Sequence, residues 1–236
     1  MGDQVSAGAD PRADRILDAA AELLAQRGYR RVAVEDVAAR AAIGKGTVYL
    51  HWPTKRRLFE AVVVREGIAY VEELVAKLRA DPEVVLPHRL LASTYLIIMG
   101  RPVLRALSTW GAPEADSMGF DGGLRKRELL MHERLFGLLA EYGLIRADVP
   151  DLMYTVMASN MGFYVMDWID PDAAHIDLQK KAGALAYTVK HAFEPPVPPS
   201  RDVLEAVAER VIALLEGPLP RHRAEIYTYD KKQRTP

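Results

Sequence analysis

Apolar residues recur every three to four positions along most of this 236-residue chain, and proline and glycine interrupt the pattern. That period buries one face of a helix, whereas a half-buried strand needs strict alternation. Ile16, Leu17, Ala20, Leu23 and Leu24 form the first such face. It opens at Asp10-Pro11, where Asp can cap and Pro is tolerated, and Gly28 supplies its stop. Val34, Val37, Ala38 and Ala41 make a second, shorter face. A three-residue break, Ala42-Ile43-Gly44, leads to a third short helix over about Lys45 to His51. Pro53 ends it, and Thr54 can cap a long fourth helix reaching roughly Leu78. Beyond Asp81-Pro82 the pattern predicts helices near 83–99, 102–110, 122–142, 150–169, 173–193 and 201–216. Gly111 to Gly123 and the Pro195-Pro196-Val197-Pro198-Pro199 hinge read as irregular. The tail after Gly217, rich in Pro, Lys and Arg, reads as disordered. Val, Ile and Thr do not gather into alternating runs, so the expected class is all-α.

Charge divides the chain unevenly. The net charge of −1 taken alone argues against a nucleic-acid partner. Yet Arg27, Arg30, Arg31, Arg40, Lys45, Lys55, Arg56 and Arg57 face only Glu35 and Asp36 in one short segment, which leaves the remainder acidic. A basic module on an acidic body is expected when one end of a protein meets phosphate. With no cysteine, disulfides, thiolate catalysis and Cys-type zinc sites are excluded. No apolar run approaches the roughly 20 residues that span a bilayer, and the first residues lack the basic start of a secretory signal, so a cytoplasmic protein is expected.

The basic segment also holds a particular geometry. Two short helices joined by a three-residue turn, the second starting among cations, are what major-groove reading requires, since that groove admits one helix braced by another. Ala38 and Ala41 are small enough to let the two approach, and Ile43 and Val48 can fill the wedge between them. Val48, Trp52 and Phe59 read as core. The organisation expected is a three-helix helix-turn-helix domain over 10–60, a larger helical bundle over 61–217, and a tail over 218–236.

The literal residues sharpen this. Gly28-Tyr29, Val34-Glu35-Asp36-Val37-Ala38, the run Ala41-Ala42-Ile43-Gly44-Lys45-Gly46-Thr47-Val48-Tyr49-Leu50-His51-Trp52-Pro53-Thr54-Lys55, and Leu58-Phe59 resemble the DNA-binding signature of TetR-family regulators. The resemblance covers about residues 12 to 60. It implies a homodimeric regulator on an inverted-repeat operator in double-stranded DNA: a repressor released by a small effector, or alternatively an activator or regulator with no effector. It also implies that Thr47 and Tyr49 contact the DNA backbone. From their chemistry, Lys55 holds a phosphate, Gly46 lets the strand pass close, and Lys45, Leu50 and His51 are the candidates for base edges. Three positions depart from the family pattern: Ala33 and Gly44 where it has capping hydroxyls, and Ala42 where it has the turn glycine. Ala42 is the costliest if the turn needs positive φ.

The rest of the chain shows no chemistry of catalysis. No Gly-x-Ser-x-Gly is present, His132-Glu133 lacks the second histidine of a zinc helix, and Gly44-x-Gly46 lacks both the third glycine and the preceding strand of a dinucleotide site. A non-enzyme without metal or cofactor is expected. Flexible and aromatic residues in the middle helices suit a pocket for a small apolar or aromatic effector, which the resemblance places in this body. The candidates are Tyr95, Met99, Trp110, Met131, Phe136, Met157, Tyr164 and Trp168, with Asn160 to orient the ligand; a plain helical core would use the same residue types. The helices at 150–169 and 173–193, and the apolar stripe of 201–216, are the candidates for pairing two subunits.

Overall fold

A computed structural model of the chain describes residues 11–110, 122–197 and 199–227. Every regular element among them is helical. In chain order they are α1 Pro11–Arg27, α2 Val34–Arg40, α3 Lys45–His51, α4 Lys55–Ala80, α5 Pro87–Gly100, α6 Pro102–Trp110, α7 Gly122–Glu141, α8 Leu152–Ile169, α9 Leu178–Phe193, α10 Arg201–Glu216 and α11 Leu219–Ile226. Short 3-10 turns, Pro82–Val85 and Pro171–His175, precede α5 and α9.

Two cores share one beam. Ile16, Leu17, Leu24, Val37, Val48, Leu58, Phe59 and Val62 pack the small N-terminal core, while Leu78, Leu90, Tyr95, Phe136, Leu139, Leu185 and Val207 belong to the larger one. The first half of α4 lies in the first core and the second half in the second, and Val71 touches both. The boundary expected at 60/61 therefore falls inside a continuous helix, and packing divides the cores near Val71, since Ala61, Val62 and Ile68 still belong to the first. At Gly100-Arg101-Pro102 the chain turns by 109° from α5 into α6, because Pro102 cannot continue the first helix. Arg101 ties that corner to α4 through Glu73 at 3.0 Å and Glu66 at 3.6 Å. Val103 of α6 then reaches the N-terminal core.

Several expected boundaries move for local reasons. The helix expected over 83–99 splits at Leu86-Pro87, and that expected over 173–193 starts at Leu178 because Asp177 caps it, accepting from Gln179 and Lys180 N–H. Of the segment expected to be irregular, 111–121 lies outside the described residues, and Gly122 and Gly123 open α7. The disordered tail is a correction. Residues 219–226 form α11, because Leu219 and Ile226, seven positions apart on one helix face, are buried in the N-terminal core. Residues 228–236 lie outside the description. The apolar stripe of α10 is covered within its own chain: Leu204, Val207, Ala208, Val211 and Leu215 are buried in the larger core.

Candidate nucleic-acid interface

α2 ends in a Schellman motif. Ile43 N–H reaches Ala38 O at 3.0 Å and Ala42 N–H reaches Ala39 O at 3.2 Å, with Ala42 itself in the left-handed region at φ 54°. The turn does need positive φ, and alanine supplies it under strain. At the other end of α2 only half a capping box forms: the Asp36 carboxylate accepts from Ala33 N–H at 2.8 Å, and Ala33 has no side-chain oxygen to return the bond. Thr54 caps α4, accepting from Arg57 N–H at 3.1 Å.

This framework turns one face of α3 inward and one outward. Val48 is buried against the core, while Lys45, Gly46, Tyr49 and Leu50 are exposed, Leu50 at 67%. Thr47 and His51 are half-buried at the flanks. A Cβ added at Gly46 would meet no atom within 4 Å, so nothing in the chain itself requires glycine there.

Beside α3 lies an open cleft of about 360 Å³ lined by Arg30, Arg31, the segment Val32 to Glu35, Tyr49 and Lys55. Lys55 stacks its ammonium 4.3 Å from the centre of the Tyr29 ring, and Tyr29 in turn meets Phe59 edge-on at 5.4 Å. Partial burial lowers the Lys55 pKa and raises that of Tyr29. Lys45 pairs with Glu35, and its ammonium lies 5.6 Å from the Tyr49 ring centre. The bond between them pulls the Glu35 carboxyl pKa down and pushes the Lys45 pKa up. Of the seven residues expected to meet DNA, Lys45, Gly46, Tyr49, Leu50 and Lys55 thus share one surface with Thr47 and His51 at its edge. Arg30, Arg31 and Tyr29 were visible in the sequence only as part of a charge cluster or a motif. That the two arginines line one cleft with Lys55, and that Tyr29 supports Lys55 from behind, are properties of the fold.

The residues expected around an effector divide. Tyr95, Met99, Phe136 and Tyr164 are buried in the larger core, and Met131 packs against it. The Tyr95 and Tyr164 rings meet edge-on at 5.1 Å, and Asn160 hydrogen-bonds Tyr164. Tyr95 Oη and Asn160 Oδ1 are buried without a hydrogen-bond partner among the described residues. Burial, with a smaller contribution from Asp167, pushes the Tyr95 pKa up to about 12. Met157 is half-buried, and the side chain of Trp110 lies outside the described residues. Trp168 does not join the group: it is 79% exposed. With Tyr154 and Met161 it forms a seven-residue repeat of exposed apolar side chains along α8, and Tyr187 of α9 is exposed as well.

Residues 16–62, which hold α1 to α3 and the start of α4, match the family model of bacterial regulatory proteins of the tetR family. By this domain the chain is similar to regulators of the TetR family. The HTH-type transcriptional regulator UidR of Escherichia coli is 26% identical over 111 residues, covering 42% of this chain and 54% of that protein. The chain spans about half the length of such curated TetR-like relatives. The fatty acid degradation regulator FadR of Bacillus halodurans shares the fold, with a TM-score of 0.62, 16% identity, and 77% of this chain matched to 96% of that one. SmeT, the repressor of the Stenotrophomonas maltophilia efflux pump SmeDEF, does so at a TM-score of 0.57 and 21% identity, over 80% of this chain and 94% of its own. This likeness in fold extends over the helical body as well as the basic module.

Proposed function

We propose that the chain is a homodimeric, ligand-released transcriptional repressor that binds an inverted-repeat operator in double-stranded DNA. The observation that carries this is the outward face of α3, with Lys45, Tyr49 and Leu50 exposed beside a cleft walled by Arg30, Arg31 and Lys55. Lys55, Thr47 and Tyr49 hold phosphates, Gly46 gives the strand room, and Lys45, Leu50 and His51 meet base edges. Two such helices about 34–36 Å apart, or a multiple of that spacing, read the two halves of a palindrome.

The exposed repeat Tyr154, Met161 and Trp168 on α8, with Tyr187 on α9, supports pairing of two subunits through these helices. Covering of the α10 stripe within its own chain speaks against a role for that helix in the dimer. The buried polar atoms of Tyr95 and Asn160 support an effector site in the body: an apolar or aromatic molecule carrying one hydrogen-bond acceptor and one donor would satisfy both. Such a ligand releases DNA only if it favours a dimer with the wrong helix spacing. That SmeT is a repressor lends weight to repression here.

Selection of bound duplexes from a random pool, followed by titration at several salt concentrations, tests the reading. An inverted repeat should emerge, and replacing Tyr49 by Phe and Lys55 by Ala together should weaken its binding about tenfold or more, each charged contact being worth about 1.5–3 kcal/mol. Equal and weak binding of every sequence would overturn it.

A further inference from the structure

The last helix among the described residues belongs, by its contacts, to the first domain. α11 follows α10 with only Gly217 and Pro218 between them, and it packs along α4. Leu219 and Ile226 are buried in the N-terminal core with Leu58, Phe59 and Val62. Three polar anchors fix it. Arg223 pairs with Glu72 of α4 at 2.6 Å, Tyr227 donates to Asp14 of α1 at 2.5 Å, and the indole N–H of Trp52 donates to Ile226 O at 3.1 Å. The third anchor matters most. Trp52 is the residue that ends α3, its own N–H accepted by Val48 O at 2.9 Å, and its side chain is buried at 5% exposure.

We propose that α11 is a working part of the DNA-reading unit: through Trp52 it braces the recognition helix from behind and sets the angle at which that helix meets the groove. The inference rests on the DNA-binding reading for its functional meaning and on the Trp52–Ile226 contact for its geometry. α3 has only seven residues, so its own hydrogen bonds give it little rigidity. Its inner face offers one fully buried side chain, Val48. An indole locked to a backbone carbonyl at the C-terminal end therefore removes much of the freedom that remains. Because α11 is joined to α10 almost without slack, and α10 is packed in the larger core, the brace ends on the ligand-binding body. The first and last of the described helices are thereby closed onto one another, and the body reaches the recognition helix through α11. Trp52 and Ile226 are positioning residues; neither lies on the outward face.

Two full-length variants test this. Trp52→Phe removes the donor and keeps an apolar ring. Leu219→Ala with Ile226→Ala loosens α11 without altering α3. Hydrogen exchange of the amides at 45–51, measured without DNA, should quicken about tenfold in both, and the preference for the selected operator over a scrambled duplex should fall by about the same factor, as loss of one buried hydrogen bond implies. Binding to the scrambled duplex should stay as it is, because phosphate attraction does not depend on that angle. A role in bulk stability alone would leave the preference ratio of the folded fraction unmoved, and that result overturns the proposal. So does unchanged exchange at 45–51 in both variants. If the natural protein itself prefers no sequence, the regulator reading fails, and the exchange measurement still decides the brace.

Discussion

Ala42 holds a left-handed conformation that costs a residue with a Cβ about 1–2 kcal/mol, a penalty glycine escapes. Ala42→Gly is expected to stabilise the protein by about 1 kcal/mol, against a smaller loss to chain entropy, and to raise the midpoint of thermal unfolding by about 2–4 °C. Calorimetry checks it; an unchanged or lower midpoint means the turn relaxes elsewhere. Glu35 offers a second single-residue test. It pairs with Lys45, the cation proposed to meet bases, and so lowers the charge that α3 presents. Glu35→Gln should strengthen binding to any duplex and steepen the dependence of log affinity on log salt by about one unit, since one more ammonium displaces counterions. An unaltered slope would show that DNA already draws Lys45 away from its partner.

α8 carries two faces with different fates. Val156 and Tyr164 point into the core, while Tyr154, Met161 and Trp168 stay outside on a seven-residue spacing. A seam at that spacing is what a packed partner helix fills. Tyr154→Glu together with Trp168→Glu should turn a dimer into a monomer at micromolar concentration, since burial of each ring is worth about 2–3 kcal/mol and a two-fold interface loses every contact twice. Sedimentation equilibrium reads the outcome, and a persisting dimer would move the interface to another face. The same change should abolish operator binding, because half a palindrome engages only one recognition helix.

In the whole molecule, α4 joins the two cores, and α6 and α11 both return from the body to the N-terminal domain. The body thus holds the N-terminal domain at several points. Its buried phenols are expected to make this assembly sensitive to high pH. Tyr95 ionises near 10 when exposed but at about 12 in the folded chain, chiefly because burial disfavours the phenolate, and burial raises Tyr164 further still. The folded state keeps protons that the unfolded state releases, so their stabilising contribution is complete below pH 10 and declines as pH climbs through 10 toward 12. Far-ultraviolet circular dichroism against pH should show helix loss in that window, and Tyr95→Phe, which lacks the ionising group, should shift the loss to higher pH. A titration identical in the two proteins would place the sensitive phenol elsewhere.

Local rules were enough for much of this. The helical period settled the class, Pro53, Thr54 and Gly28 marked ends that the fold kept, and the run from Ala41 to Lys55 carried the turn and its cations, because each of those features depends on neighbours within one or two turns. The strain at Ala42 was legible for the same reason. Trp168 and α11 were not. A tryptophan on an apolar helix reads alike whether it lines a pocket or a seam, since helical spacing records which residues share a face and not what that face meets. Eight residues near a charged C-terminus are too few to fold by themselves; Leu219 and Ile226 hold α11 only because α1, α4 and Trp52 stand where it arrives. Distant burial decided those positions, and that is a property of the packed chain.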